Sequence, residues 1–142
     1  MNEEVLEVCI SRLYREYVRQ YGRDPDDAEV LDMARWAWRC KSKGLPMLVF
    51  AEADGVIKGV FGVDRWFRCG EAMNNPGLKP NVDPNGTRKA AVQRDIADNR
   101  KMAFVGHISP RAGQYIGQIV PRLDNWHTFR YVTLTNGQLI RR

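Results

Sequence analysis

Residues 47–63 read MLVFAEADGVIKGVFGV, and the fold turns on this stretch. MLVFAEA (47–53) and VIKGVFGV (56–63) are strand-like apolar runs, and Asp54-Gly55 between them is a two-residue signal for a hairpin turn. Gly59 and Gly62 would weaken an isolated strand, so they predict a bulge or a close approach of neighbouring backbone. A strand pair near the middle of the chain therefore organises what lies on either side.

Upstream, Leu6, Cys9, Ile10, Leu13, Tyr17 and Tyr21 recur at helical spacing from Asn2 to Tyr21, while Arg12, Arg15, Arg19 and Arg23 fall on the opposite side. That pattern predicts an amphipathic helix with an arginine stripe, ended by Gly22. Asp24-Pro25 reads as the N-cap and first position of a second helix, with Leu31, Ala34 and Trp38 on one side and Val30, Met33 and Ala37 beside them. It stops near Gly44-Leu45-Pro46.

Downstream, residues 70–87 (GEAMNNPGLKPNVDPNGT) are rich in Gly, Pro and Asn and predict a long surface loop, a functional or mobile segment in a compact domain. Thr87 is placed to cap a short helix through Ala97. MAFVGHI (102–108) reads as a strand, Ser109-Pro110 as a helix start, and FRYVTL (129–134) with Asn136-Gly137 and LIRR as a terminal strand and hairpin. The expectation is one α+β domain over residues 1–142. Its helical part, 1–44, packs on a small, mainly antiparallel sheet in 45–142, for which a barrel is one possible form.

At 142 residues, with 44% hydrophobic and 27% charged, the chain suits one globular core rather than a disordered or fibrous state. The longest uncharged apolar run, Leu45 to Ala51, is far shorter than the ~20 residues of a membrane helix. The acidic N-terminus also lacks the basic region of a signal peptide, so a cytoplasmic protein without a membrane partner is expected. Charge is uneven: residues 1–85 are net −2 and residues 86–142 net +7, and 16 of the 22 basic residues are arginine, which suits phosphate and stacks on bases.

Three cysteines, at positions 9, 40 and 69, match no disulfide, redox or metal spacing. His107 and His127 make no close pair with Cys40 or Cys69, so neither a metal site nor a thiol nucleophile is expected, and no cofactor loop of the common phosphate-binding types occurs. The aromatics say more. Trp66, Phe67 and Trp126 sit beside Arg65, Arg68, Arg122 and Arg130, and guanidinium groups interleaved with aromatic faces can hold bases. The candidate ligand-binding set is therefore Arg65, Trp66, Arg68, Arg122, Trp126 and Arg130. Trp126 lies in a polar context and is expected to be exposed, whereas Trp36, Trp38 and Trp66 are expected to serve mainly as core anchors.

Three blocks carry a resemblance: AEADGVIKGVFGVDRW (51–66), KMAFVGHI (101–108) with QYIGQIVP (114–121), and FRYV (129–132). Together they resemble a set of small prokaryotic and phage domains, some found behind GIY-YIG nuclease domains, over roughly residues 28–132. The chain departs from that pattern at Gln118, where the pattern has lysine, and at His127-Thr128-Phe129, where it has Asn-Pro before the last strand. A second, looser likeness is to PUA-like domains of the EVE and ASCH types, which implies a barrel that binds RNA or modified bases. Phe104-Val105-Gly106 and Tyr115-Ile116-Gly117 mimic the two nuclease tripeptides, but no glutamate follows Glu71, so the downstream metal-binding glutamate of that nuclease is missing.

The expectation is a non-enzymatic nucleic-acid or modified-base binding module of phage, defence or restriction biology. A second reading is a binder of a small nucleotide or nucleotide-derived signal. A third is a protein-interaction domain, such as a phage inhibitor of a host factor, that presents Arg12, Arg15, Arg19 and Arg23 to an acidic partner.

Overall fold

The structure, a computed structural model, describes residues 2–41, 43–98, 100–123 and 129–141. Six strands, β1 (Asn2–Cys9), β2 (Leu48–Ala53), β3 (Val56–Arg68), β4 (Met102–Ile108), β5 (Phe129–Thr135) and β6 (Gln138–Ile140), form one mixed sheet in the order β4-β3-β2-β1-β5-β6. Only β1 and β2 are parallel. The sheet is open, with β4 and β6 at its edges, and is not a barrel. Helices α1 (Ser11–Tyr21) and α2 (Asp27–Ala34) lie between β1 and β2 in the chain, α3 (Arg88–Ala97) precedes β4, and the single turn α4 (Ala112–Tyr115) follows it.

The N-terminus differs from expectation. Residues 2–9 form a strand, and the helix begins only at Ser11. The reason is burial: β1 is central, flanked by β2 and β5, and Val5 to Cys9 are buried without interruption. A strand covered on both faces loses the alternation that marks a half-exposed strand, so its apolar residues can be matched to a helical period by chance.

The hairpin is where the sequence puts it. Asp54 and Gly55 have φ of 51° and 84°, the left-handed pair that a tight two-residue turn requires. A bulge follows at Ala51/Glu52, and a Cβ on Gly59 would lie 2.5 Å from the Phe61 ring. Side chains of β3 then alternate, with Phe61 joining Leu6, Val8, Tyr17, Val30, Met33 and Phe104 under the first two helices. Val60 joins Val5, Phe50, Tyr115, Val132 and Leu134 on the other face. A third cluster, Trp36, Phe67, Cys69, Val92, Ile96 and Ala103, closes the far end of β3 and β4 against α3.

Helix α2 also differs, starting two residues later than the pattern suggests and ending at Ala34, about ten residues before the expected stop near Gly44-Leu45-Pro46. Asp26, not Asp24, is its cap: Glu29 N–H donates to Asp26 Oδ1 (2.8 Å) while Asp26 N–H donates to Glu29 Oε1 (2.9 Å), a reciprocal box. The chain leaves the helix after Ala34 because β4 recruits its backbone. Phe104 N–H donates to Arg35 O (3.0 Å), and Trp38 and Met102 exchange both backbone hydrogen bonds.

Residues 70–87 are not a free loop. Two short 3-10 turns, Cys69–Met73 and Pro76–Leu78, bury Cys69 and Ala72, and the remainder is tied to α2 through Asp32. That carboxylate accepts the amides of Asn81 and Val82 (2.8–3.1 Å) and pairs with Arg88 (3.2 Å) and Arg35 (3.4 Å). Arg35 in turn donates to the carbonyls of Leu78 and Lys79, both at 2.8 Å. Burial lowers the Arg88 pKa, and the adjacent Asp32 carboxylate opposes that shift.

Two outcomes follow. Phe61 is 1% exposed and Ile119 is 89% exposed. In urea unfolding, Phe61→Ala should lose ~3–5 kcal/mol, whereas Ile119→Ala should stay within ~0.5 kcal/mol of the parent. Removing Asp32 strands a guanidinium whose residue is only 8% exposed, so Asp32→Ala should cost ~3–5 kcal/mol. Adding Arg88→Met should recover much of that loss, because the stranded charge is then gone.

Candidate nucleotide cleft

The sequence-derived candidates separate into two places. Arg65, Trp66 and Arg68 lie toward the end of β3, where Arg65 pairs with Glu71 (3.3 Å) and lies over the Phe67 ring. Trp66 is half-buried, donates its indole N–H to Pro46 O (2.7 Å) and packs edge-on against Phe104, so it is an anchor. Arg122 and Arg130 lie toward the start of β3, where Val56 bridges Ile119. Arg65 is nine positions further along, ~30 Å at strand rise. Trp126 lies outside the described residues.

Each arginine of the second group is engaged. Arg122 pairs with Asp54 (3.3 Å), which also holds Arg15 (3.1 Å). Arg130 pairs with the buried Glu7, its partner across β1 and β5, and Arg141 joins the same carboxylate at 2.6 Å. The α1 stripe is largely spent too: Arg12 pairs with Glu16, Arg15 with Asp54 and Arg23 with Glu29, leaving Arg19 as its one member without a carboxylate among the described residues.

The structure instead builds a cleft from elements distant in sequence. Helix α1 supplies Arg12, Leu13 and Glu16, the segment after α2 supplies Trp36, Ala37 and Trp38, and α3 supplies Arg88, Ala91, Arg94 and Asp95, with Lys101 at the rim. The volume is ≈ 270 Å³. The two indoles form the buried floor and are fixed by their own N–H groups, Trp36 to Asp95 Oδ2 (2.9 Å) and Trp38 to Ala34 O (2.7 Å). Asp95 also accepts from Lys101 (2.6 Å), so its charge is consumed inside the wall. Arg94 is exposed and has no partner among the described residues, which leaves its guanidinium available. The first turn of α1 has neither a side-chain cap nor an acidic residue of its own.

Four cationic side chains against two carboxylates, over an aromatic floor, suit a planar ligand carrying negative charge. The wall holds no activated nucleophile. Burial raises the Cys9 thiol and pushes the Cys40 and Cys69 thiols to about 11 and about 12, so all three stay protonated near neutrality. Among the described residues no group of three His, Cys, Asp or Glu side chains is placed to hold a metal ion. His107 lies away from the cleft lining. Its ring lies against Gly62, where a Cβ would meet Nε2 at 2.5 Å, and Nδ1 is 2.8 Å from Asp64, the residue at the bulge in β3. His127 lies outside the described residues.

Sequence reasoning missed Arg94, Asp95 and Lys101. The one available signal was the i, i+3, i+6 and i+7 spacing of Arg88, Ala91, Arg94 and Asp95, which puts them along one side of α3. The partners across the cleft come from α1 and residues 36–38, and no local pattern links those to α3. Compared with protein-family models, curated proteins and solved structures, the chain matches none.

Proposed function

We propose that the protein is a non-enzymatic nucleic-acid or modified-base binding module that receives one nucleotide unit in the cleft between α1 and α3. The observation that carries this reading is the unpaired Arg94 above the Trp36 and Trp38 floor, with Arg12 and Lys101 beside it. A guanidinium fork can take a phosphate by two hydrogen bonds while the aromatic wall meets a base. The volume of ≈ 270 Å³ suits a single base with its phosphate and is too small for a duplex, so any polymer would present an unpaired or extruded base. The likeness of the sequence blocks to PUA-like domains points to the same ligand class, although the sheet here is open. A cytoplasmic role in phage, defence or restriction biology belongs to this reading.

The size of the cleft also favours the reading as a binder of a free nucleotide or nucleotide-derived signal, which would use the same residues. The protein-partner reading receives less support, because most of the α1 arginine stripe is already neutralised.

Tryptophan fluorescence should be titrated at ~50 mM salt with nucleoside monophosphates and with single-stranded, duplex and modified DNA and RNA. The expected result is saturable binding that Arg94→Glu weakens by about tenfold or more, with Arg65→Ala and Arg122→Ala close to the parent. If Arg94 meets phosphate in a polymer, Arg94→Ala should also reduce the salt slope by roughly one unit. Absence of binding by every probe would overturn the proposal.

A further inference from the structure

Helix α3 has a second cavity on its other flank, of ≈ 290 Å³, between the helix and residues 76–83. Pro76, Pro80 and Val92 give it apolar walls, Asn81 and Gln93 offer amide groups, and Lys79 and Lys89 stand at its margin. Arg88 lines both cavities. On α3 the cleft takes residues 87, 88, 91, 94 and 95, and the second cavity takes 88, 89, 92 and 93, so the two occupy neighbouring faces of one helix. The separation to be crossed is no more than the width of a helix, ~10 Å with side chains.

Charge pairing singles out the same region. Among the described residues, Arg19, Lys43, Lys79, Lys89 and Arg94 are basic side chains that have neither a carboxylate partner nor an aromatic face. Three of these five line the two cavities, Arg94 in one and Lys79 and Lys89 in the other. An unpaired cation can take a phosphate without an ion pair first being broken. The acids nearby are committed: Asp83 receives the Arg88 and Lys89 amides at the start of α3 (2.8 and 3.1 Å), and Asp32 neutralises Arg88. The two cavities differ in kind. The cleft has tryptophans, whereas the second cavity is lined by no aromatic residue but by Pro76, Pro80, Val92, amide groups, the Asp83 carboxylate and the cations Lys79, Lys89 and Arg88, so it suits a sugar–phosphate link and the polar edge of a base better than a stacked base.

We infer that the ligand is a single polynucleotide strand of at least two linked units, laid across α3, with one unit in the tryptophan-floored cleft and the next over Lys79 and Lys89. The inference rests on the nucleotide reading of the cleft and adds the polymer and its path. The two sites act as one bivalent surface, in which occupying the first raises the local concentration of the second unit.

The test is a length series: thymidine monophosphate and oligodeoxythymidylates of two to six units, with uridine monophosphate and the matching oligouridylates as the RNA arm. Each is titrated against the full chain, the Lys79→Ala/Lys89→Ala double variant and Arg94→Ala. Urea curves confirm that the variants are folded. The parent should gain about tenfold or more in affinity between one unit and three. The double variant should lose that gain while keeping the mononucleotide affinity, and Arg94→Ala should weaken every length. Equal affinity at all lengths, or an equal effect of the double variant on monomer and oligomer, would overturn the inference while leaving the cleft reading intact. No binding of monomer or oligomer would overturn both.

Discussion

The carboxylate of Asp32 holds together the part of the molecule that forms both cavities. It gathers the Arg35 and Arg88 guanidinium groups and the amides of Asn81 and Val82, and so binds α2, α3 and the segment between β3 and α3 into one unit. An interaction of this kind gains little over an apolar core while intact, yet losing one partner leaves a buried charge uncompensated. Here the geometry of both cavities hangs on it, because Arg88 forms their common wall. Asp32 therefore acts on any ligand by positioning the walls and not by contact.

A second ionic group serves the sheet. Glu7 sits in the middle of β1, fully buried, and is met by Arg130 from β5 and by Arg141 beyond β6. On β2, Glu52 is equally buried: its Oε1 accepts the amides of Gly55 (2.7 Å) and Leu123 (3.2 Å), and its Oε2 has no partner among the described residues. Glu7, together with Asp54, explains why the basic segment 86–142 is not simply a free cationic surface. Arg130 and Arg141 are committed to Glu7, Arg122 is committed to Asp54, and three of the five described cations without a partner, Lys79, Lys89 and Arg94, lie along α3 and its approach.

What could be read from the sequence was what local chemistry decides. Asp54-Gly55 demanded a turn whatever packed around it, MAFVGHI had the makings of a strand, and Gly59 and Gly62 announced a bulge or a close approach of backbone: a bulge does lie beside Gly59, while the atoms closest to both glycines belong to side chains, Phe61 and His107. Residues 2–9 could not be read this way, since a strand covered on both sides shows no alternation and Glu7 finds its partner more than 120 residues away in Arg130. Trp36 and Trp38 looked like a continuing helix because the competing hydrogen bonds, to Met102 and Phe104, belong to a strand not adjacent in sequence. The cleft is hidden for the same reason: the pairing state of an arginine is a tertiary property, and it separates Arg94 from Arg122 and Arg130.

The central claim is that ligand enters between α1 and α3 and not at the arginines of β3 or β5. The most direct measurement is a two-dimensional ¹⁵N–¹H spectrum followed during titration with thymidine monophosphate, because the Trp36 indole N–H reports from the cleft through its bond to Asp95, while the Trp66 indole N–H reports from its bond to Pro46. The account predicts that the Trp36 indole signal and the backbone amides of residues 91–95 shift together and saturate at one ligand, with Trp66 and the amides of Arg65 and Arg130 unmoved. Saturating shifts at Trp66, Arg65 or Arg130 with Trp36 and residues 91–95 unchanged would contradict it.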